Sequence, residues 1–280
     1  MNHEEWREHQ EMVRVDVDGH TFDLAYAAFG GGEPVTLFLH GIPTWGFLFR
    51  AAQEGVGHAV VPDLPGYGYT EHRGEGGYDR SVRVMEAAAE ALLDALGQET
   101  VQVVGHDLGG GAALRLAVHT DRVQRLVLSN AACYDSWPVE FIHGLGLPGP
   151  AREWTREDVA EKLEFAVGGG VYGDRADNRT FVEGMKAPFL DPAHDPTRLS
   201  RNAVATNTNH TASLTPHLDA VEAPTLLLWG GEDVLQGTEW ADRLAEDLPD
   251  AQRRYLDEAY HWVMQDRPAA YRAALEDFLE

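Results

Sequence analysis

The sequence is poor in cysteine and in long apolar runs, and each shortage excludes a class of protein. Cys133 is the only cysteine, so no disulfide can form within the chain, which fits a reducing compartment. No stretch approaches the roughly 18 consecutive apolar residues that a membrane-spanning helix needs. The charged start, MNHEEWREHQE, lacks the apolar core of a secretory signal. We therefore expect a cytoplasmic protein without a membrane anchor.

Positive charge is also scarce. Lysine occurs only at positions 162 and 186, and the net charge is −24. Such a surface repels phosphates, so we expect no nucleic-acid partner. The acidity fits an ordinary acidic protein, or adaptation to a salt-rich cytoplasm in which ions screen the self-repulsion. We favour the second interpretation.

The 280 residues and an apolar fraction of 44% suffice for one large domain with a real core. Two strands at 12–19 and 20–30 are joined by the turn signal Asp18-Gly19. Short apolar runs then alternate with helical patterns, which predicts a mostly parallel sheet covered by helices on both faces. Strands are expected at 35–41, 58–66, 101–107, 122–131, 223–233 and 251–259, and helices at 81–97, 109–118, 238–248 and 267–279.

Residues 135–218 interrupt this alternation. They contain no convincing strand, and helical patterns occur near 155–167, 179–188 and 196–208. Thr180 and Glu183 have the spacing of a capping box. The sequence predicts a helical cap at 135–218, inserted into a core domain formed by 1–134 and 219–280.

A nucleophile elbow is indicated by VVGHDLGGG at 103–111, where a strand meets a glycine-flanked turn and a small-residue helix. Asp107 occupies the position that usually holds serine. Asp233 follows a strand end, His261 lies in the loop after the last strand, and the HGIP turn at 40–43 follows an early strand. Taken singly, these residues also fit helix caps, a loop histidine and an ordinary turn. Their order and their places at strand ends favour a catalytic set.

Other site types find little support. The chain has no HExxH and no cysteine-based metal spacing, and the glycines at 66 and 68 lack the third glycine of a dinucleotide loop. We expect no metal and no cofactor.

Several blocks of the chain resemble α/β-hydrolases with an aspartate nucleophile, the haloalkane dehalogenases and epoxide hydrolases. They are HGIPTWGFLFR, VVPDLPGYGYT, VVGHDLGGG, RLVLSNAACYDSWP and YHWVMQDRP. HGIPTW and SNAAC, with the acid after the penultimate strand, lie nearer to the dehalogenases. The resemblance implies an α/β-hydrolase fold, with Asp107 as nucleophile, His261 as base and Asp233 as its partner. It also implies oxyanion donors in the backbone N–H groups of Ile42 and Leu108.

The sequence departs from both subfamilies. Dehalogenases carry a tryptophan after the nucleophile, where this chain has Leu108, and some carry an asparagine where it has Ile42. Epoxide hydrolases use two cap tyrosines, and only Tyr134 and Tyr172 lie in or beside this cap. A leaving-group donor must then come from elsewhere. Trp137 ranks first because it lies where the chain leaves the sheet, and the other candidate contacts are Trp45, Trp262, Tyr172 and Asn130.

An aspartate at the elbow suits attack on saturated carbon, because a carboxylate is already charged at neutral pH. Together with the resemblance, this predicts a hydrolase of carbon–halogen bonds that acts through an aspartyl ester and gives an alcohol and a halide. An epoxide hydrolase is the alternative. A ligand-binding protein without turnover and a lyase on the same fold also stay open, and the oligomeric state is undetermined.

Overall fold

The computed structural model describes residues 1–147, 153–174 and 178–280. A nine-stranded sheet forms its centre, in the order β1-β2-β4-β3-β6-β7-β8-β9, with β5 paired to β2 at one side. The strands are β1 (Gln10–Val17), β2 (His20–Gly30), β3 (Thr36–Leu39), β4 (His58–Pro62), β5 (Glu71–His72), β6 (Val101–His106), β7 (Val123–Ser129), β8 (Thr225–Gly230) and β9 (Ala251–Leu256). From β4 onward along this order, every neighbouring pair is parallel.

The first two strands form the predicted antiparallel hairpin, with Val17 opposite His20. Asp18 and Gly19 both have positive φ, 53° and 79°. Two consecutive residues in this region make the turn whose twist matches the flanking strands, and Asp-Gly is favoured there.

Eleven helices are seen in the described ranges: α1 (His3–Glu8), α2 (Val82–Ala95), α3 (Leu108–His119), α4 (Glu140–Leu145), α5 (Arg156–Gly169), α6 (Arg179–Leu190), α7 (Arg198–Val204), α8 (Asn209–Ala212), α9 (Thr238–Asp247), α10 (Val263–Asp266) and α11 (Pro268–Leu279). Helices α2, α3, α9 and α11 match the predicted ones to within two residues at every end. The mostly parallel sheet covered on both faces is therefore confirmed.

Alternate residues of the central strands supply two apolar cores, one on each face of the sheet. In β3, Leu37 and Leu39 join the core that contains α2 and α3, whereas Phe38 joins the core that contains α11. Strands buried on both faces read as continuous apolar runs, as β3 and β8 do. This burial fixes the strand ends that carry the candidate site.

Helices α4 to α8 lie between β7 and β8, in the segment predicted as a cap. The capping box expected at Thr180 and Glu183 is wrong: α6 begins at Arg179, so Thr180 is already helical, and Glu183 accepts from Arg179 instead. A capping box occurs at Thr155 and Asp158. The third predicted helix, at 196–208, is shorter than expected and ends at Val204. The cap boundaries at 135 and 218 stay a prediction.

Two buried side chains of α7 tie this cap segment to the loop after β4. Arg198 donates to the carbonyl oxygens of Gly66, Tyr67 and Gly68 at 2.7–2.8 Å. Asn202 donates to Gly66 at 2.8 Å. Hydrogen bonds from a charged group to buried carbonyls are among the stronger ones, so they anchor α7 to this loop.

None of the helices in the described ranges is long and apolar enough to cross a membrane.

Candidate active site

Asp107 lies at the sharp turn between β6 and α3, with φ 51° and ψ −124°. A positive φ costs energy in a residue with a side chain, so the surroundings must hold this conformation. The Asp107 carbonyl oxygen accepts hydrogen bonds from the N–H groups of Gly110, Gly111 and Ala132. These bonds fix the turn and leave the carboxylate projecting from the end of β6.

Glycine is required at two positions around this turn by close approach. A Cβ on Gly41 would lie 2.0 Å from Oδ1 of Asp107, and a Cβ on Gly109 would lie 2.1 Å from the Leu39 carbonyl oxygen. Contacts below about 3 Å are not tolerated between such atoms. The glycines thus let the elbow approach both β3 and the turn that follows it.

The two expected oxyanion donors both face the Asp107 carboxylate. The N–H of Ile42 donates to Oδ1 at 2.8 Å. Burial raises the pKa of Asp107, and the N–H groups of Leu108 and Ile42 oppose this shift without cancelling it. A carbonyl oxygen of an ester formed on Asp107 would therefore sit against preorganised donors.

The turn that carries Ile42 is fixed by His40, which is fully buried. Its Nδ1 bonds the Gly41 carbonyl oxygen at 3.0 Å, and its Nε2 accepts from the N–H of Leu64 at 3.0 Å. Burial lowers the pKa of His40 to about 4, so the ring stays neutral and can both donate and accept.

His261 follows β9 and lies between the two acids. Its Nδ1 is 2.9 Å from Oδ2 of Asp233, and its Nε2 is 3.7 Å from Oδ2 of Asp107. The shorter contact directs the Nδ1 proton to Asp233, which only accepts, and in the neutral ring Nε2 then carries the lone pair. A water bound to Nε2 beside Asp107 could be deprotonated there.

Asp233 is itself held at both oxygens. Oδ1 accepts from the N–H of Leu235 at 2.8 Å, and Oδ2 accepts from Nδ2 of Asn130 at 2.6 Å. Asn130 was expected as a substrate contact, and the structure places it behind Asp233, fully buried, where its Oδ1 accepts from Gly230. Its place is that of a positioning residue for the acid.

The charges of this set reinforce one another. Burial lowers the pKa of His261, but the carboxylates of Asp233 and Asp107 outweigh burial and raise it above its usual value. Burial likewise raises the pKa of Asp233, yet the His261 interaction and the hydrogen bonds lower it overall. His106, whose ring centroid lies 4.7 Å from that of His261, has its pKa lowered by burial and stays neutral.

A cavity of about 190 Å³ opens above Asp107 and His261. One side of the cavity is lined by residues of the predicted cap segment, and we call it the cap side. It is formed by apolar side chains, among them Trp137, Pro138, Val139, Phe141, Ile142 and Phe165. An apolar cavity of roughly 150 Å³ is large enough for benzene, so this one accommodates a small apolar molecule. The residues described by the structure include no group of three or more His, Cys, Asp or Glu that could hold a metal.

The aromatic residues expected to assist a leaving group do not offer a free N–H or O–H to this cavity. The indole N–H groups of Trp137, Trp45 and Trp262 donate to Thr211 Oγ1, the Gly184 carbonyl oxygen and the Val167 carbonyl oxygen. Trp45 and Tyr172 are not among the cavity-lining residues, and the Tyr172 ring packs on Tyr260 near the surface. The three indole N–H groups are thus used within the fold, whereas Trp137 and Trp262 line the cavity, and their role as substrate contacts stays a prediction.

Gln236 lines the cavity and is missing from the expected residues. It follows Asp233 by three residues, in the loop that positions the acid. In the sequence, this closeness to a candidate acid is the one feature that points to Gln236. No sequence pattern separates it from an ordinary loop residue.

Comparisons with known proteins agree with this fold. Residues 34–268 match the family model described as alpha/beta hydrolase fold. The chain is 28% identical to a 2-hydroxymuconate semialdehyde hydrolase of Pseudomonas putida over 89% of this chain and 88% of the relative. It is 27% identical to haloalkane dehalogenase 2 of Mycobacterium bovis, over 90% of each chain.

A further relative is the cis-3-alkyl-4-alkyloxetan-2-one decarboxylase of Shewanella oneidensis, 25% identical over 87% of this chain and 80% of the relative. The crystal structure of a haloalkane dehalogenase from Bradyrhizobium elkani superposes with a TM-score of 0.78 at 22% identity, covering 96% of this chain and 98% of that one. The fold, the matched segment and these relatives give one conclusion: the chain belongs to the alpha/beta hydrolase fold family and is a hydrolase of that superfamily.

Proposed function

We propose that the protein hydrolyses small apolar haloalkanes through a covalent ester on Asp107. The observation that carries the proposal is the carboxylate at the elbow, with one oxygen bound to the N–H of Ile42 and the other facing Nε2 of His261. A serine at this position would need His261 to remove its proton before attack. A carboxylate attacks directly and leaves the histidine free for the second step.

In the first step an Asp107 oxygen displaces the halide from a saturated carbon. The new C–O bond forms as the carbon–halogen bond breaks, and the halide leaves with the electron pair. The oxygen nearer to His261 is the better placed for attack, because Oδ1 is already held by Ile42. The product of this step is an alkyl ester of Asp107.

In the second step His261 Nε2 takes a proton from water, and the hydroxide attacks Cγ of Asp107. The negative charge then develops on the ester carbonyl oxygen, next to the N–H groups of Ile42 and Leu108. Collapse breaks the bond between Cγ and the alkyl-bearing oxygen, and His261 returns the proton to the departing alcohol. Asp233 holds the imidazole and stabilises its charged form.

The cavity supports an uncharged substrate. Among the described residues that line it there is no lysine and no arginine, so a substrate carboxylate would lie in an apolar site beside Asp107 without a counter-ion. This disfavours diacid substrates such as the one named for a 26% identical relative from Paraburkholderia phymatum, a 2-hydroxy-6-oxononadienedioate hydrolase.

Opening of a strained oxygen ring is the second candidate function. It uses the same Asp107 carboxylate, and the strain of the ring is released when the ring carbon–oxygen bond breaks. The relative named as an oxetan-2-one decarboxylase supports the same chemistry. Attack of Asp107 on a saturated ring carbon of an epoxide or β-lactone would give the same kind of ester.

A substrate panel tests the proposal. Halide release is measured for 1-bromobutane, 1-chlorobutane and chloroacetate, diol formation for 1,2-epoxybutane, and ring loss for β-butyrolactone. We expect bromide and chloride from the butanes and at least tenfold less turnover of chloroacetate. Turnover of the ring compounds alone would favour the second candidate. Turnover of none of the five would contradict both and support a ligand-binding role.

A further inference from the structure

The cavity offers almost no free hydrogen-bond donors to a leaving group. The lining indoles are those of Trp137 and Trp262, and both N–H groups donate into the protein. The hydroxyl of Thr206, which also lines the cavity, donates to the Ala203 carbonyl oxygen at 2.5 Å. An anion that leaves carbon in an apolar site without a donor is very costly, so the reaction needs a donor that these residues do not supply.

Gln236 is the lining side chain whose polar atoms are unused by the described protein. It is 2% exposed, and its Oε1 is buried without a hydrogen-bond partner. No described residue bonds its Nε2 either. A buried amide left unpaired destabilises the folded protein, and such groups in folded proteins call for a ligand or a function.

The backbone on both sides of Gln236 is fixed, so the point from which its side chain extends is held in place. The Gln236 carbonyl oxygen accepts from the indole N–H of Trp229 at 2.7 Å. The preceding residue, Leu235, donates its N–H to the carboxylate of Asp233. The Gln236 side chain thus extends from the same fixed loop that positions the acid, and a rigid support of this kind favours a preorganised contact.

We propose that the side-chain amide of Gln236 donates a hydrogen bond to the atom that leaves carbon when Asp107 attacks. The leaving atom is a halide, or the oxygen of a strained ring in the second candidate function. Either anion accepts a hydrogen bond, and the amide has two N–H groups to give. This inference rests on the proposed function, because it assigns a role within the first step of that reaction.

The test separates the two steps by using His261→Gln, in which an ester on Asp107 should form and persist. Its formation is followed by mass spectrometry with 1-chlorobutane, 1-iodobutane and 1,2-epoxybutane. The rate of ester formation in His261→Gln is then compared with the rate in the double variant that also carries Gln236→Met. Methionine keeps the length of the side chain and removes both N–H groups. Gln252→Met, at an exposed position of β9, is the matched control.

We expect Gln236→Met to slow ester formation from 1-chlorobutane by roughly 10- to 100-fold, the worth of a hydrogen bond to an anion. The loss should be smaller for 1-iodobutane, because iodide accepts hydrogen bonds more weakly. A purely structural role would slow both substrates alike. Hydrolysis of the ester in the presence of His261 should be unchanged, and Gln252→Met should match the parent at every step.

The outcomes distinguish the two proposals. Equal rates of ester formation with and without Gln236→Met, for whichever substrate reacts, would overturn the role of Gln236 and leave the proposed function standing. No ester on Asp107 from any of the three substrates would overturn the proposed function and this inference together. If Gln236→Met does not fold, Gln236→Glu keeps the shape, removes the N–H donors and should slow ester formation at least as much.

Discussion

The sheet side of the cavity turns its polar groups toward a ligand, whereas the cap side turns its polar groups into the protein. On the sheet side, the Asp107 carboxylate accepts a hydrogen bond from the N–H of Ile42 at 2.8 Å, and its other oxygen lies 3.7 Å from Nε2 of His261. On the cap side, Trp137 donates to Thr211 and Thr206 donates to Ala203. The sheet side therefore sets the chemistry, and the cap side sets the size and polarity of what can react.

The largest expected effect comes from the sheet side. In Asp233→Asn, the amide can hold His261 in the wrong tautomer, so water is no longer activated. We expect ester hydrolysis to slow by about 10³- to 10⁴-fold, whereas ester formation should change by less than about fivefold because it needs no base. Burst kinetics with 1-bromobutane measure both steps. Asp257→Asn, at an exposed position after β9, is the control. Equal loss in both steps would mean that Asp233 does not act through His261.

The two steps should also respond to pH differently. Ester formation needs charged Asp107, whose pKa is raised by burial, so its rate should fall on the acid side at a pH above that of an ordinary aspartate. Ester hydrolysis needs neutral His261. Burial lowers the pKa of His261 and the Asp233 carboxylate raises it, whereas Asp107 carries no charge while it is an ester. Hydrolysis should therefore increase as pH rises through the pKa that His261 has in the ester intermediate. Single-turnover rates across pH check this, and one shared profile for both steps would contradict it.

A cap-side substitution should change stability and leave chemistry intact. Trp137→Phe removes the hydrogen bond to Thr211, which is 2.8 Å long and buried. We expect a loss of about 1 kcal/mol in the free energy of unfolding and less than a threefold change in the rate of ester formation. Urea denaturation and burst kinetics provide the two values. A loss of tenfold or more in ester formation would return Trp137 to the role of leaving-group donor.

The smallest effect on chemistry is expected from salt, which acts on the surface. The net charge of −24 should destabilise the folded chain through self-repulsion, and ions screen it. We expect the melting temperature to rise by roughly 5 °C from low to molar potassium chloride, with ester formation changed less than threefold. A melting temperature that stays flat would contradict the interpretation of salt adaptation.

The sequence predicts what periodicity and spacing encode. The strand ends that carry Asp107, Asp233 and His261 follow from continuous apolar runs and from the glycine-flanked turn, and the structure brings these three residues together. Hydrogen-bond partners of side chains are a different matter, because they depend on distant segments. The indole of Trp137 is bonded to a residue 74 positions away, and no local pattern records such a pairing.

Local signals also compete, which explains the smaller errors. Thr180 and Glu183 have the spacing of a capping box, yet α6 begins one residue earlier and Glu183 pairs with Arg179 along the helix surface. Short α4 lies in the cap segment with only six residues, too few to give a clear period. Gln236 was missed because a loop glutamine has no pattern, and only its burial in the cavity marks it.

The central claim is that Asp107 itself forms the ester, and isotope transfer tests it most directly. Enzyme in excess over 1-bromobutane is allowed one turnover in ¹⁸O-labelled water, and the peptide that contains Asp107 is analysed by mass spectrometry. Because water attacks Cγ of Asp107, the account predicts one ¹⁸O atom in that carboxylate and unlabelled oxygen in the butanol. Labelled butanol with an unlabelled Asp107 would show that water attacks the substrate directly, and would contradict the account.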